Sequence, residues 1–270
     1  MALEIIVCIK QVPDPEHFSK ISLDPVTKTI TREGIPAVIN PVDRNALEEG
    51  LRMRERYAGK VAVVTMGPPQ ARRALEEALA MGADEAFLLC DAAFAEADTL
   101  ATAYSLACSI RDMGNFDLIL CGNETADSGT AQVGPQLAEF LGIPCVSNVK
   151  EITFEGEMGL VVKQALEGGY MTVKARLPAL ITVTKDINRP RLVTAFGIME
   201  AAEKVISERC CTDVEVDPSC IGRAGSPTEV LEAIELPRRR KGEVMTGPPE
   251  EAVRKAVEKI RELGVADLLQ

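Results

Sequence analysis

Residues 3–9 read LEIIVCI, and three later stretches repeat the pattern: KVAVVT at 60–65, EAFLLC at 85–90 and FDLILC at 116–121. Each is a short run rich in Val, Ile and Leu and bounded by turn-forming residues. A strand buried on both faces is written this way, whereas a strand with one wet face alternates apolar and polar. Between them, residues 41–56, 69–81, 98–113 and 130–141 place apolar residues at helical spacing among Ala, Leu and Glu. The alternation predicts an α/β fold: a mostly parallel, doubly wound sheet with helices on both faces.

Outward from this core the pattern changes. Residues 21–31, with Asp24-Pro25 at their middle, read as a small hairpin inserted after the first strand. After Pro144 the runs 149–154, 160–166, 170–174 and 179–184 follow one another through short Gly-containing links, and we expect them to extend the sheet as antiparallel strands. From Arg189 onward, prolines at 190, 218, 227 and 237, a basic run at 238–241 and a helical stretch at 249–263 leave few core-forming residues. Residues 1–188 are therefore expected to form the α/β domain and residues 189–270 a loop and C-terminal arm lying on a partner. The arm's helix carries Val253, Val257, Ile260 and Leu263 as an apolar stripe.

Composition narrows the function. A chain of 270 residues buries a self-sufficient core. Its net charge of −11 lacks the basic footprint that nucleic acid requires. No export signal opens the chain and no apolar run reaches the ~18 residues of a membrane span, so it is read as cytoplasmic and without direct membrane insertion. Eight cysteines, at 8, 90, 108, 121, 145, 210, 211 and 220, include no Cys-x-x-Cys and share the chain with one histidine, His17, so no metal site is expected. Cys8, Cys90 and Cys121 fall in or at the end of predicted strands, as small buried hydrophobes do. No catalytic acid–base pair or triad is recognisable, and any redox chemistry must belong to a bound cofactor.

A parallel sheet binds ligands beyond the carboxyl ends of its strands. Four segments fall there: residues 8–14 (CIKQVPD), 40–43 (NPVD), 65–68 (TMGP) and 121–135 (CGNETADSGTAQVGP). The last packs small and hydroxyl residues into a turn ahead of a helix, where backbone N–H groups and the positive end of the helix dipole suit a phosphate. The same residues also serve ordinary caps and turns. Lys10 is either a phosphate partner or a surface charge. Neither G-x-G-x-x-G nor G-x-x-x-x-G-K-[ST] occurs, so the standard dinucleotide and P-loop readings fail.

In these residues the chain resembles the beta (small) subunits of electron-transfer flavoproteins along almost its whole length. KQVPD at 10–14, NPVD at 40–43, MGP at 66–68, ALAMGAD at 78–84 and the loop at 127–135 match in order, followed by EGG at 167–169 and LPALIT at 177–182. Gln164 and Met171 depart from the family's usual basic residue and Glu or Gln. The resemblance implies an adenine-nucleotide hydrolase-like fold. It also implies that Cys8, Asn40, Pro41, Val42, Asp43, Met66, Thr125, Ala126, Asp127, Ser128, Gly129, Thr130, Ala131, Gln132, Val133 and Gly134 hold an adenine nucleotide. That nucleotide is AMP in one branch of the family and FAD in the electron-bifurcating branch. The loop is closer to the D-G-D-T-A-Q-V-G-P of the FAD type, with Ser128-Gly129 in place of Gly-Asp, so FAD is expected here, with AMP as the alternative.

A second FAD is implied in an alpha subunit that completes a heterodimer. Electrons would pass between a flavin dehydrogenase or NADH and an acceptor such as a quinone oxidoreductase or ferredoxin. Residues 188–199 correspond to the family's recognition loop, where Ala195 aligns with the usual Leu anchor and Phe196 stands beside it. The competing reading is a regulatory adenine-nucleotide-binding module without electron transfer.

Overall fold

In the computed structural model the first apolar run is β1 (Leu3–Cys8), buried at every position but Glu4. The structure describes residues 2–20, 22–23, 30–31, 34–156, 159–231 and 244–262. After β1 come the short strands β2 (Gln11–Pro13), β3 (Ser22–Leu23), β4 (Ile30–Thr31) and β5 (Ala37–Ile39). β3 and β4 pair antiparallel as the expected hairpin, whose Asp24-Pro25 turn lies outside the described residues. The α/β alternation follows: α1 (Pro41–Tyr57), β6 (Gly59–Met66), α2 (Arg72–Met81), β7 (Glu85–Leu89), α3 (Thr99–Met113), β8 (Leu118–Gly122) and α4 (Val133–Leu141). Beyond it lie β9 (Cys145–Glu155), β10 (Gly159–Leu166), β11 (Gly169–Arg176), β12 (Ala179–Val183), α5 (Ala195–Glu203), β13 (Ile206–Arg209) and α6 (Pro249–Glu262).

Nine strands form one sheet in the order β11-β10-β9-β12-β8-β1-β6-β7-β13. Seven of them, from β9 to β13, run parallel. The period of two along each strand divides the core. Ile5 and Val7 of β1, with Leu118 and Leu120 of β8, meet Leu47 and Leu51 of α1 and Leu75 and Leu79 of α2 on one face. Ile6, Ile119 and Leu180 meet Leu106 and Ile110 of α3 and Leu137 of α4 on the other. The sheet is thus doubly wound, as the alternation requires.

The antiparallel extension holds for β10 and β11 but not for residues 179–184. β12 lies between β8 and β9, parallel to both, and all five of its residues are buried. Its unbroken apolar run ALITV was the signal for a two-faced central strand. β9 serves both parts of the sheet. Asn148, at φ +57°, coincides with a shift of register against β12, and the outer half of the strand brings Phe154 onto Tyr57 at the end of α1, ring centroids 4.6 Å apart.

The chain divides into two compact units, Met1–Ala233 and Ile234–Gln270. Within the first, part of the region read as an arm supplies the sheet's edge strand, β13, paired with β7. α5 has no buried residue. In the second unit α6 displays Val253, Val257 and Ile260; Leu263, the fourth member of the expected stripe, lies outside the described residues. Among the described residues no helix is long and apolar enough to cross a membrane.

Candidate functional site

α1 opens on Pro41, whose missing N–H is harmless at the first helical position. Asn40 precedes it yet does not cap the helix. Its wholly buried side chain serves the loop after β8 instead: Nδ2 donates to the Glu124 carbonyl at 2.9 Å, and Oδ1 accepts from the Ala126 N–H at 3.0 Å. Asp43 makes a second bridge. Its Oδ2 accepts from the Lys10 N–H at 2.8 Å and its Oδ1 from the Gly122 N–H at 2.9 Å. The ends of β1 and β8 are thereby tied to the first turn of α1. Only glycine fits at 122, where a Cβ would stand 2.4 Å from Asp43 Oδ1. Burial pushes the Asp43 carboxyl up to about 7, although hydrogen bonds from the Asn40 side chain and the two N–H groups, and the charge of Lys10, pull the other way.

Lys10 does not stand free on the surface. Its Nζ lies 2.9 and 2.8 Å from the two oxygens of Asp127, at the start of the small-residue segment. Burial of Asp127 opposes its ionisation, but the hydrogen bonds and charge of Lys10, with hydrogen bonds from Thr125 and Ser128, hold the carboxyl below its ordinary range. Thr125 Oγ1 and Ser128 Oγ are 2.7 Å apart, and the Gly129 N–H donates to the Thr125 carbonyl at 2.8 Å, closing a tight turn. Replacing Lys10 with Met is expected to move the Asp127 titration upward, read by carboxyl NMR shifts; an unmoved titration would mean that Lys10 does not set it.

Ser128, Gly129, Thr130, Ala131 and Gln132 are exposed. Ala131 adopts φ +54°, a left-handed conformation that costs a residue with a Cβ about 1 kcal/mol. α4 begins at Val133, three residues later than its spacing suggested. Gln132, at its N-cap, makes no capping bond; its Oε1 accepts from Thr99 Oγ1 at 2.9 Å instead. The first-turn N–H groups have no intrahelical acceptor, so the end of the helix keeps its affinity for an anion. Gly134 lets α4 settle directly on the sheet, since a Cβ there would stand 2.6 Å from Thr182 Cγ2 and 3.1 Å from Cys121 Sγ.

The structure therefore brings Lys10, Asn40, Asp43, Thr125, Ala126 and Asp127 into one hydrogen-bonded cluster, from which Ser128 to Gln132 continue as the exposed limb. Other predicted residues stand differently. Cys8 is buried, and burial followed by the nearby Asp43 pushes its thiol up to about 12, so it packs as an apolar group. Val42 packs on the α1-side core and Met66 on the α3-side core; Pro41 is exposed at the helix start. His17 pairs with Asp14 at 3.0 Å. Among the described residues no group of three or more His, Cys, Asp or Glu could hold a metal ion. A groove of about 630 Å³ lined by Ala92, Ala95, Cys211, Val216, Pro218 and Ile221 includes none of the cluster.

Gly122 falls in the 121–135 segment marked in the sequence as ligand-facing, but its role, leaving room for the Asp43 carboxylate at the end of β8, was not foreseen. A second network was unforeseen: Asn45, Glu48, Glu49 and Arg52, on one face of α1, hold Asn188, Arg189 and Arg191.

Residues 27–213 match the family described as the electron transfer flavoprotein domain. A relative from Thermoanaerobacterium thermosaccharolyticum, "Electron transfer flavoprotein subunit beta", is 48% identical over 96% of this chain and 98% of its own. A protein of the same name from Clostridium acetobutylicum is 43% identical over 96% and 98%. The "Caffeyl-CoA reductase-Etf complex subunit CarD" of Acetobacterium woodii is 43% identical over 91% and 92%.

Proposed function

The chain belongs to the electron transfer flavoprotein family, and from that premise we propose how its site is used. Its function is electron transfer, in the role of a beta subunit. The proposed cofactor of this subunit is FAD, its diphosphate lying against residues 125–134 and its adenosine toward Lys10, Pro41, Val42 and Met66. One observation carries the reading: an exposed limb of small residues, one of them strained, leads into a helix whose N-cap residue leaves the first turn uncapped. The residues fit a diphosphate. Asp127 is occupied by Lys10, so its charge is offset where an anion approaches.

When bound, the isoalloxazine of FAD supplies one- and two-electron transfer. The chain's own groups do the rest. The Lys10–Asp127 pair fixes a cation at the mouth of the site, the loop backbone offers donors, and Gly134 allows α4 to press its uncapped end close to the sheet. In this reading a larger alpha subunit carries a second FAD, α6 belongs to an arm that contacts it, and the complex works in the cytoplasm. Residues 188–203 meet the redox partner, a flavin dehydrogenase, a quinone oxidoreductase or ferredoxin, through Leu192, Phe196, Ile198 and Met199, which are exposed.

The test is a visible spectrum and released-nucleotide analysis of the purified heterodimer. Two FAD per heterodimer are expected, the condition for electron bifurcation. One FAD and one AMP would overturn the FAD assignment and leave the carrier function in place; a colourless protein binding only ATP would overturn the cofactor reading altogether.

A further inference from the structure

We propose that Asn40 and Asp43 are positioning residues that staple the loop after β8 into its binding shape before any nucleotide arrives, rather than ligands of that nucleotide. The inference rests on the reading of residues 125–134 as the nucleotide loop. Asn40 is wholly buried and Asp43 is 4% exposed, so neither presents a surface to a ligand. Their bonding capacity is already engaged. The Asn40 amide meets the loop with one donor and one acceptor, on Glu124 and Ala126. Each oxygen of Asp43 accepts a backbone N–H, one at the end of β1 and the other at the end of β8. A carboxylate facing a phosphate would repel it, whereas a carboxylate turned inward onto two N–H groups orients the backbone that meets the phosphate.

The two residues sit three apart, at the N-cap and in the first turn of α1, so one rigid helix end holds both strand ends. Gly122 is part of the device, because a side chain there would displace the Asp43 carboxylate. Neither residue caps its own helix: Asn40 makes no cap bond and Asp43 reaches across to the strands. The helix forgoes a side-chain cap, and the loop gains an anchor at each end of its first turn.

Three near-isosteric variants test this in the full chain complexed with its large subunit and stripped of nucleotide. Asn40→Asp replaces the donor to Glu124 by an acceptor, Asp43→Asn turns one acceptor into a donor facing an N–H, and Gly122→Ala pushes on the staple from the strand side. Hydrogen exchange of residues 122–127 in the nucleotide-free state is expected to quicken about ten-fold or more, the size of one net hydrogen bond lost. FAD affinity, with AMP as a second probe, should fall by about the same factor. Saturating FAD should restore slow exchange and the wild-type flavin spectrum.

Unchanged nucleotide-free exchange with weakened binding would show direct ligation and overturn the proposal. Quickened exchange with unchanged affinity would instead locate the nucleotide elsewhere and overturn the reading on which the staple rests. If Asp43→Asn or Gly122→Ala fails to fold, Asn40→Asp decides, since it exchanges only the Asn40 amide and keeps Asp43 and Gly122, the two residues at the strand ends.

Discussion

Lowering the pH from 8 to 5 is expected to stabilise the chain against unfolding by about 3 kcal/mol through one carboxyl group, Asp43. In the fold that group is pushed up to about 7, mainly by burial; in the unfolded chain it returns to its ordinary value near 3.8. Between those two values the folded state binds the proton and the unfolded state does not. The contribution is fully present below the unfolded value and is lost as the pH rises through 7. Glu49, also raised chiefly by burial, acts in the same sense.

The carboxylates held below their ordinary range, among them Asp14, Asp91, Asp98, Asp127 and Asp217, oppose this only at lower pH, where the unfolded chain begins to take up their protons. Urea unfolding at half-unit intervals should therefore give a curve falling from pH 5 to pH 8, and Asp43→Asn should remove most of the slope, leaving the part due to Glu49. A level wild-type curve, or a variant with the full wild-type slope, would refute the role given to Asp43. The direction is opposite to that of the common paired carboxylate, because here burial outweighs the partners.

Most of the fold was legible because two-faced strands announce themselves. IIVC at 5–8 and LILC at 118–121 are apolar at consecutive positions, and both lie in central strands. β12 carried the same signal in ALITV and was misread as antiparallel because its neighbours in sequence are; local order does not reveal that a strand returns past two others to sit beside β8. β13 was missed for a related reason. ISER is too short and polar to declare a strand, and only the vacant edge of β7 makes it one. In the site, the segments at 8–14, 40–43 and 121–135 were found from the rule that ligands meet strand ends. The partners within them were not: Lys10 with Asp127 is a contact across 117 positions, and no spacing in one sequence encodes it. Nor could composition show that Asn40 and Asp43 point inward, since Asn and Asp ahead of a helix usually cap it.

Glu48→Ala should destabilise the chain by about 3 kcal/mol, the lower end for breaking a buried ion pair. The Glu48 carboxylate is 4% exposed and accepts from Arg52 Nε at 2.7 Å, from Arg191 Nε at 2.8 Å and from the Arg191 N–H at 3.1 Å. Its burial opposes ionisation, but the hydrogen bonds of Arg191 and Arg52 more than compensate and hold it below its ordinary range. Removing it leaves two guanidinium groups without their shared acceptor. Arg191 keeps Glu55, at 2.7 Å, and both arginines reach water, which places the loss at the lower end. Glu48→Gln should cost less, because one oxygen still accepts.

The consequence extends past stability, because Asn188 and Arg191 lead directly into the exposed Leu192, Phe196, Ile198 and Met199. Gly197 seats α5 so closely on the end of α2 that a Cβ there would stand 2.3 Å from the Ala80 carbonyl oxygen. With the Glu48 acceptor gone, the segment keeps that contact, the Asn188 bonds to Asn45 and Glu49 and the Arg191–Glu55 pair, but loses its most buried anchor. Affinity for the proposed redox partner should then fall in Glu48→Ala while the bound nucleotide remains at wild-type stoichiometry, because the bonds of Asn40 and Asp43 run to Lys10, Gly122, Glu124 and Ala126 and share no partner with Glu48. Loss of the nucleotide together with partner affinity would show that the helix transmits the damage along its length. Unchanged stability would show that the ion pair contributes nothing to holding the segment.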